Sequence, residues 1–107
     1  MDFQNLLDRA LQVREQYTDF ERKNFGRSWT REEVVMGFIG DVGDLVKLTM
    51  AEIGVRNIPD ARHKLAHEMA DCLWSILVLS HLYEIDLEAA FLKTMDELEG
   101  HISSNPD

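Results

Sequence analysis

The stretch from Leu73 to Leu82 constrains the fold most, because it is apolar around most of a helical circumference. A helix on the outside of a small monomeric bundle would expose part of such a surface to water. We therefore expect this helix to be the central one or to lie at a subunit interface. At 107 residues the chain suits one domain with a modest core, and a domain of this size also favours a homo-oligomer.

Local signals divide the chain into four predicted helices, and no segment alternates as a strand would. Thr30 and Glu33 have the spacing of a capping box, Gly54 follows the second helix, and Asp86 has the character of an N-cap. Short joints predict that the second, third and fourth helices are antiparallel neighbours. The prediction is one all-α domain over residues 1–107, with helices at about 2–24, 30–53, 60–83 and 86–102 and a frayed tail at 103–107.

Charge and cysteine content limit the partners and the compartment. The formal net charge of -9 argues against a nucleic acid polymer as partner and favours a small or cationic one. Cys72 is the single cysteine, so no internal disulfide forms and a reducing compartment is expected. The N-terminus lacks a basic segment before an apolar run, and the longest apolar stretch is interrupted by Ser75 and Ser80. We expect a cytoplasmic protein without a membrane span.

Carboxylates inside apolar helices are the most informative residues. At 100° per residue, Asp41 projects into the apolar arc of the second helix, and Asp44 lies about 60° away on the same face. Glu68 and Asp71 repeat the three-residue spacing on the third helix, beside the apolar run. Two adjacent helices therefore each offer a pair of carboxylates.

Four converging carboxylates repel one another and lose hydration, so a cation among them would stabilise the arrangement. A divalent ion with oxygen ligands, such as Mg²⁺, meets that need and also binds phosphate groups. The simpler interpretation is that these acids are solvated at the helix edges or paired with Lys47 and Lys64. Close approach by a neighbour or ligand, or tight packing alone, would explain three glycines in the second helix: Gly37, Gly40 and Gly43.

The two acidic pairs resemble the signature of the MazG-like and dCTP pyrophosphatase-like family, a Glu-x-x-Glu pair on one helix and a Glu-x-x-Asp pair on the next. The similarity continues through Ile85 to Ala90 and Lys93 to Met95, so that it covers residues 29–95. The resemblance implies an all-α, four-helix bundle completed by dimerisation, sometimes as a tetramer. It also implies Mg²⁺-dependent, or Mn²⁺-dependent, cleavage of a nucleoside triphosphate between the α- and β-phosphates, giving a monophosphate and pyrophosphate.

By position, the resemblance makes Asp41, Asp44, Glu68 and Asp71 the metal ligands and catalytic carboxylates, and Lys93 a phosphate contact. The chain departs from the family at the first pair, where both glutamates are aspartates and each side chain is one methylene shorter. Beyond Lys93, the family often has Asn or Arg. This stretch instead contains Glu97 and Gly100.

Other features leave alternatives open. His63, His67 and Asp71 form a row at i, i+4 and i+8 that could bind zinc, although solvated histidines commonly have this spacing. The Trp29 side chain, beside the start of the second helix, could stack on a nucleobase or could simply pack, as could Phe25 and Trp74. A protein of another class is the main alternative to the enzyme: a catalytically silent helical bundle that binds metal or nucleotide, or an oligomeric interaction module.

Overall fold

The computed structural model describes residues 2–104, and over that range the chain forms four α-helices and no strand. The all-α prediction is confirmed, and the predicted helix ends agree with the observed ones to within two residues. The fourth helix runs through Ser104, so residues 103 and 104 are helical rather than frayed, and the rest of the predicted tail lies outside the described residues. The helices are α1 (Phe3–Phe25), α2 (Arg31–Glu52), α3 (Ala61–Leu82) and α4 (Leu87–Ser104).

Capping by side chains and glycine explains where the first two helices begin and end. The Asp2 carboxylate accepts a hydrogen bond from the Asn5 amide, and α1 ends at Gly26, whose φ of 78° suits a residue without a Cβ. At the start of α2, the Thr30 hydroxyl and the Glu33 carboxylate each accept the other residue's backbone N–H. This is the capping box that the sequence predicts.

Helix α3 is the centre of the fold. Helix α2 packs along it extensively, and α1 packs against it over a shorter length. The Trp74 indole N–H donates to the Ala10 carbonyl at 3.1 Å and so ties α3 to α1. The prediction of a central third helix is confirmed, and the buried apolar side chains come from the three packed helices: Ala10, Val34, Leu48, Leu65, Leu77 and Val78.

Helix α4 makes almost no contact with the other three helices, and none of its residues is buried. The expected packing of α4 as a neighbour of α3 is therefore not found within one chain. A turn at Glu84, where φ is 57°, separates α3 from α4. Beyond this turn, the apolar stripe of α4 meets no apolar surface among the described residues, so nothing holds α4 against α3. Five large apolar side chains along α4 stay exposed: Phe91, Met95, Leu98 and Ile102 form one stripe, and Leu92 lies beside it.

The chain is less compact than a monomer of its size. The radius of gyration is 17.2 Å, against about 13 Å for a folded chain of this length. The accessible surface is 8177 Å², whereas a monomer of this mass exposes about 6,100 Å². Roughly 2,000 Å² of surface is thus in excess. Among the described helices, none is long and apolar enough to cross a membrane.

Candidate metal centre

The packing of α2 on α3 brings the two acidic pairs together. One carboxylate oxygen from each of Asp41, Asp44 and Glu68 lies within 4.8 Å of the others. A second group overlaps the first, because ligand atoms of His67, Glu68 and Asp71 also lie within 4.8 Å of one another. Glu68 belongs to both groups, so the four carboxylates and His67 form one continuous cluster, which we call the carboxylate cluster.

The negative charge of the carboxylate cluster is only partly offset, by His67 beside Asp71 and by Lys47 beside Asp44. Partial burial raises the pKa of Asp41, and the negative charges of Asp71 and Asp44 raise it further. The pKa of Glu68 is raised by the same causes, burial first and then its three acidic neighbours. The Glu68 Oε2 atom is buried, and within residues 2–104 it has no hydrogen-bond partner. A buried acceptor without a donor costs free energy, which a bound cation would offset.

The donor set fits a hard divalent cation. Ligands about 2.1 Å from a six-coordinate ion lie about 3 to 4.2 Å from one another, so the observed spacing needs little adjustment. Ion pairing with lysine does not account for the cluster. Lys47 Nζ is 3.9 Å from Asp44 Oδ1, and both side chains are more than half exposed. In the described part of the chain, the Lys64 side chain forms no hydrogen bond or ion pair; its backbone N–H donates to the Asp60 carbonyl. These residues could therefore hold a cation.

The two histidines of the predicted row have different surroundings. His67 Nε2 is 3.2 Å from Asp71 Oδ2, inside the cluster, whereas His63 Nδ1 is 3.4 Å from Asp60 Oδ2 at the start of α3. The structure therefore groups His67 and Asp71 with Glu68 and leaves His63 outside that group. The i, i+4 spacing of His67 and Asp71 was the available sequence signal for this contact.

A groove lined by aromatic side chains adjoins the carboxylate cluster; we call it the aromatic groove. Its cavity volume is about 550 Å³, within the usual range for small-molecule sites. The Tyr17 and Trp74 rings are tilted by 56° with centroids 5.9 Å apart. Asp41 and Asp71 line the same groove, so a ligand there would touch both aromatic rings and carboxylates. The main lining residues are Tyr17, Trp29, Val34, Gly37, Ala70, Trp74 and Ser75.

The position of Trp29 depends on two charged residues of α1. The Glu21 carboxylate accepts the Trp29 backbone N–H at 2.8 Å, and the Arg14 guanidinium donates to the Trp29 carbonyl at 2.7 Å. Both charged side chains are largely buried, and they lie 3.7 Å apart. The sequence analysis missed this pair because single charged residues on a helix are usually solvated; their i, i+7 spacing, which places them on one face, was the only signal.

Gly37 lets Trp29 lie against α2. A Cβ on Gly37 would be 3.0 Å from Cζ3 of the Trp29 indole, whereas a Cβ on Gly40 or Gly43 would meet nothing within 4 Å. The expected close approach to the three glycines is thus found only at Gly37 within this chain.

Three other candidate residues lie apart from the groove. Phe25 is 72% exposed and packs edge-on against Phe20, so it is not part of the aromatic groove. Burial raises the pKa of the Cys72 thiol, which fits an unreactive side chain. Lys93 is exposed on α4, and it does not line the aromatic groove.

Compared with the models of known protein families, with curated proteins and with solved structures, the chain matches none of them.

Proposed function

We propose that this protein is a divalent-metal-dependent nucleotide pyrophosphohydrolase that cleaves nucleoside triphosphates to a monophosphate and pyrophosphate. The observation that carries the proposal is the cluster of Asp41, Asp44, Glu68 and Asp71, with its negative charge only partly offset, beside an aromatic groove. A metal alone would account for the acids, but the adjoining rings add a surface for a planar base. The resemblance of the two acidic pairs to the MazG-like family supports the same activity.

The proposed chemistry needs little covalent participation by the protein. When bound, Mg²⁺ or Mn²⁺ neutralises phosphate charge and lowers the pKa of a bound water. The carboxylates hold the cation and orient the attacking water, and one of them accepts its proton. Hydrolysis consumes one water and breaks the bond between the α-phosphate and the β-phosphate group, which leaves as pyrophosphate.

The base and sugar would occupy the aromatic groove. Stacking on Trp29 or between Tyr17 and Trp74 holds any planar base, and buried polar groups of the wall add discrimination. With the base in the groove, the α-phosphate would lie next to Asp41 and Asp71, which line the groove and belong to the carboxylate cluster.

The test is turnover with a panel of canonical and modified nucleoside triphosphates. Pyrophosphate and orthophosphate are assayed separately with Mg²⁺, with Mn²⁺ and with chelator. We expect metal-dependent release of pyrophosphate, reduced about 100-fold or more in Asp41→Asn and Glu68→Gln, since each contributes to binding the charge-neutralising cation. Asp19→Asn, which removes an exposed carboxylate of α1, is the control. No release from any triphosphate by folded protein would favour the silent metal- or nucleotide-binding module instead.

The active form is, in this proposal, a homodimer or homotetramer. The excess surface of roughly 2,000 Å² per chain is within the range that permanent interfaces bury. Two exposed apolar stripes could be covered in such an oligomer. One is the exposed stripe of α4, and the other lies on α2, within an arc of about 120° that faces away from Val34 and Leu48 and also holds the charged residues Glu32 and Lys47. The second stripe comprises Met36, Ile39, Gly40, Gly43, Val46 and Met50.

A second chain is the partner that best fits these stripes. Open space at Gly40 and Gly43 would let another helix approach α2 closely. Because α4 carries Lys93, an interface formed by α4 could also bring this lysine of one chain towards the carboxylate cluster of the other.

A further inference from the structure

A second groove adjoins the carboxylate cluster, and four of its eight lining residues carry nitrogen donors. Its cavity volume is about 350 Å³, at the small end of the range for ligand sites. We call it the basic groove. Leu48 and Ile58 supply its apolar surface, and Asp44 and Glu68 line it on the side of the cluster. The remaining lining residues all carry nitrogen donors: Lys47, His63, Lys64 and His67.

The two grooves divide the carboxylates between them. Asp41 and Asp71 line the aromatic groove, whereas Asp44 and Glu68 line the basic groove. His67 lines both, so the grooves meet at the cluster. A ligand lying across α2 and α3 would therefore meet aromatic rings at one end, carboxylates in the middle and ammonium groups at the other end.

The ammonium groups of the basic groove are available to a ligand. Lys47 has only a 3.9 Å contact with Asp44, and its side chain is 58% exposed, so this ion pair holds it weakly. The Lys64 side chain is exposed and has no hydrogen-bond or ion-pair partner among the described residues. One weakly paired lysine and one unpaired lysine side chain thus lie beside the carboxylate cluster. An anionic ligand that also carries a divalent cation satisfies both groups.

We propose that the basic groove is an anion subsite for a pyrophosphate group, occupied by the β- and γ-phosphates of a bound triphosphate and then by the released pyrophosphate. This inference rests on the proposed function. Lys47 and Lys64 donate to the phosphate oxygens, and the carboxylates hold the divalent ion between the two grooves. The subsite assigns the phosphate grip to residues of α2 and α3 in the same chain as the carboxylates, in addition to any lysine from α4.

Direct binding of inorganic pyrophosphate tests the subsite. Full-length protein is titrated calorimetrically with pyrophosphate in the presence of Mg²⁺, and separately with a nucleoside monophosphate. We expect Lys47→Ala and Lys64→Ala each to weaken pyrophosphate binding about tenfold, the usual effect of losing one charge-assisted hydrogen bond. Monophosphate binding, which uses the aromatic groove, should change less than about twofold. Lys23→Ala on α1 is the matched control and should leave both affinities unchanged.

The outcomes separate this subsite from the proposed function. If triphosphates are hydrolysed but the two lysine variants bind pyrophosphate as the wild type does, the subsite is wrong and the enzyme stands. If no triphosphate is hydrolysed but pyrophosphate binding depends on Lys47 and Lys64, the reaction is wrong and the anion subsite stands. Folded protein that binds no pyrophosphate at all overturns the subsite. Circular dichroism of each variant shows that it is folded, and Lys47→Arg should restore most of the affinity because it restores the charge.

Discussion

The backbone N–H of Trp29 donates to the Glu21 carboxylate at 2.8 Å, across the turn between α1 and α2. This bond fixes Trp29, which forms one wall of the aromatic groove. Arg14, on α1 like Glu21, holds the same residue by donating to its carbonyl. The groove is therefore shaped by polar contacts between α1 and the start of α2, in addition to the packing of the rings.

Replacing Glu21 with alanine should destabilise the fold. The change leaves the Trp29 N–H without its acceptor and the Arg14 guanidinium without its nearby carboxylate, at a site where Glu21 is only 8% exposed. We expect a loss of about 2 to 3 kcal/mol in the free energy of unfolding, measured by urea denaturation. Glu15→Ala, an exposed position on α1, should change it by less than about 0.5 kcal/mol. Equal effects of the two substitutions would contradict a structural role for the Glu21 contact.

A methyl group at Gly37 should shift Trp29. The added Cβ would stand 3.0 Å from the indole, closer than carbon atoms normally pack, so the partly exposed ring moves outwards. We expect Gly37→Ala to raise the Michaelis constant for the triphosphate by up to about tenfold and to change the tryptophan fluorescence. Gly100→Ala adds a methyl group with nothing within 4 Å. It should leave the kinetics unchanged and add up to about 1 kcal/mol of stability. Identical kinetics for both variants would show that Trp29 does not depend on Gly37.

Neutralising Glu68 should stabilise the metal-free protein. Its pKa is raised in the folded state, so the folded chain binds the proton more tightly than the unfolded chain does. Stability therefore falls as pH rises from the ordinary pKa of 4.5 through the raised value, and the deficit persists at neutral pH. We expect Glu68→Gln in chelator to melt above the wild type at pH 7, with the difference vanishing below pH 4 or so.

The same pair of proteins tests metal binding. Mg²⁺ or Mn²⁺ at about 100 times its dissociation constant should raise the wild-type melting temperature by on the order of 10 °C. Glu68→Gln should lose most of this rise, whereas Glu15→Gln should keep it. A wild type that melts at the same temperature with and without either ion would argue that the carboxylates are solvated acids without a cation.

Glu33 should stabilise the fold at neutral pH and lose its effect in acid. The Arg27 guanidinium donates two hydrogen bonds to this carboxylate, and with the Thr30 amide they lower its pKa from 4.5 to about 2. A lowered pKa gives stability that is fully present above pH 4.5 and is lost as pH falls towards 2. In thermal melts, Glu33→Gln should therefore fall below the wild type at pH 7, and the two curves should converge near pH 2. Its neighbour Glu32, substituted in the same way, serves as the control, and a gap that stays constant with pH would contradict the assignment.

The helix ends were predictable because the signals that set them are local. The capping box at Thr30 and Glu33 and the glycine at Gly54 act within a few residues, so sequence spacing alone identifies them. The approach of the two acidic pairs followed from the short connection between α2 and α3, which makes those helices neighbours. Local rules thus account for both the helices and the carboxylates.

The contacts that were not predicted join consecutive helices across a turn or depend on surfaces outside the chain. Arg14 and Glu21 bind the backbone of Trp29 across the turn between α1 and α2. Nothing in the spacing of the two charged residues identifies the Trp29 carbonyl and N–H as their partners. The predicted packing of α4 was wrong. A short joint makes two helices packed neighbours only when the chain also supplies an apolar surface that covers the apolar stripe of α4. Here the stripe finds none among the described residues of its own chain.

Charges placed on the stripe of α4 should break the oligomer. Met95 and Leu98 lie in the middle of that exposed stripe, where a second chain would bury them. We expect Met95→Glu and Leu98→Glu to shift sedimentation from a dimer or tetramer to smaller species, because an unpaired charge at a buried interface costs several kcal/mol. Gly100→Glu puts the same charge on the opposite side of α4 and should leave the assembly intact. Wild-type protein that sediments as a monomer at micromolar concentration would contradict the proposed assembly. The apolar stripe of α4 would then need a partner other than a second copy of the chain. If the assembly breaks and pyrophosphate release falls with it, while pyrophosphate binding to Lys47 and Lys64 persists, a residue carried by α4 contributes to turnover across the interface.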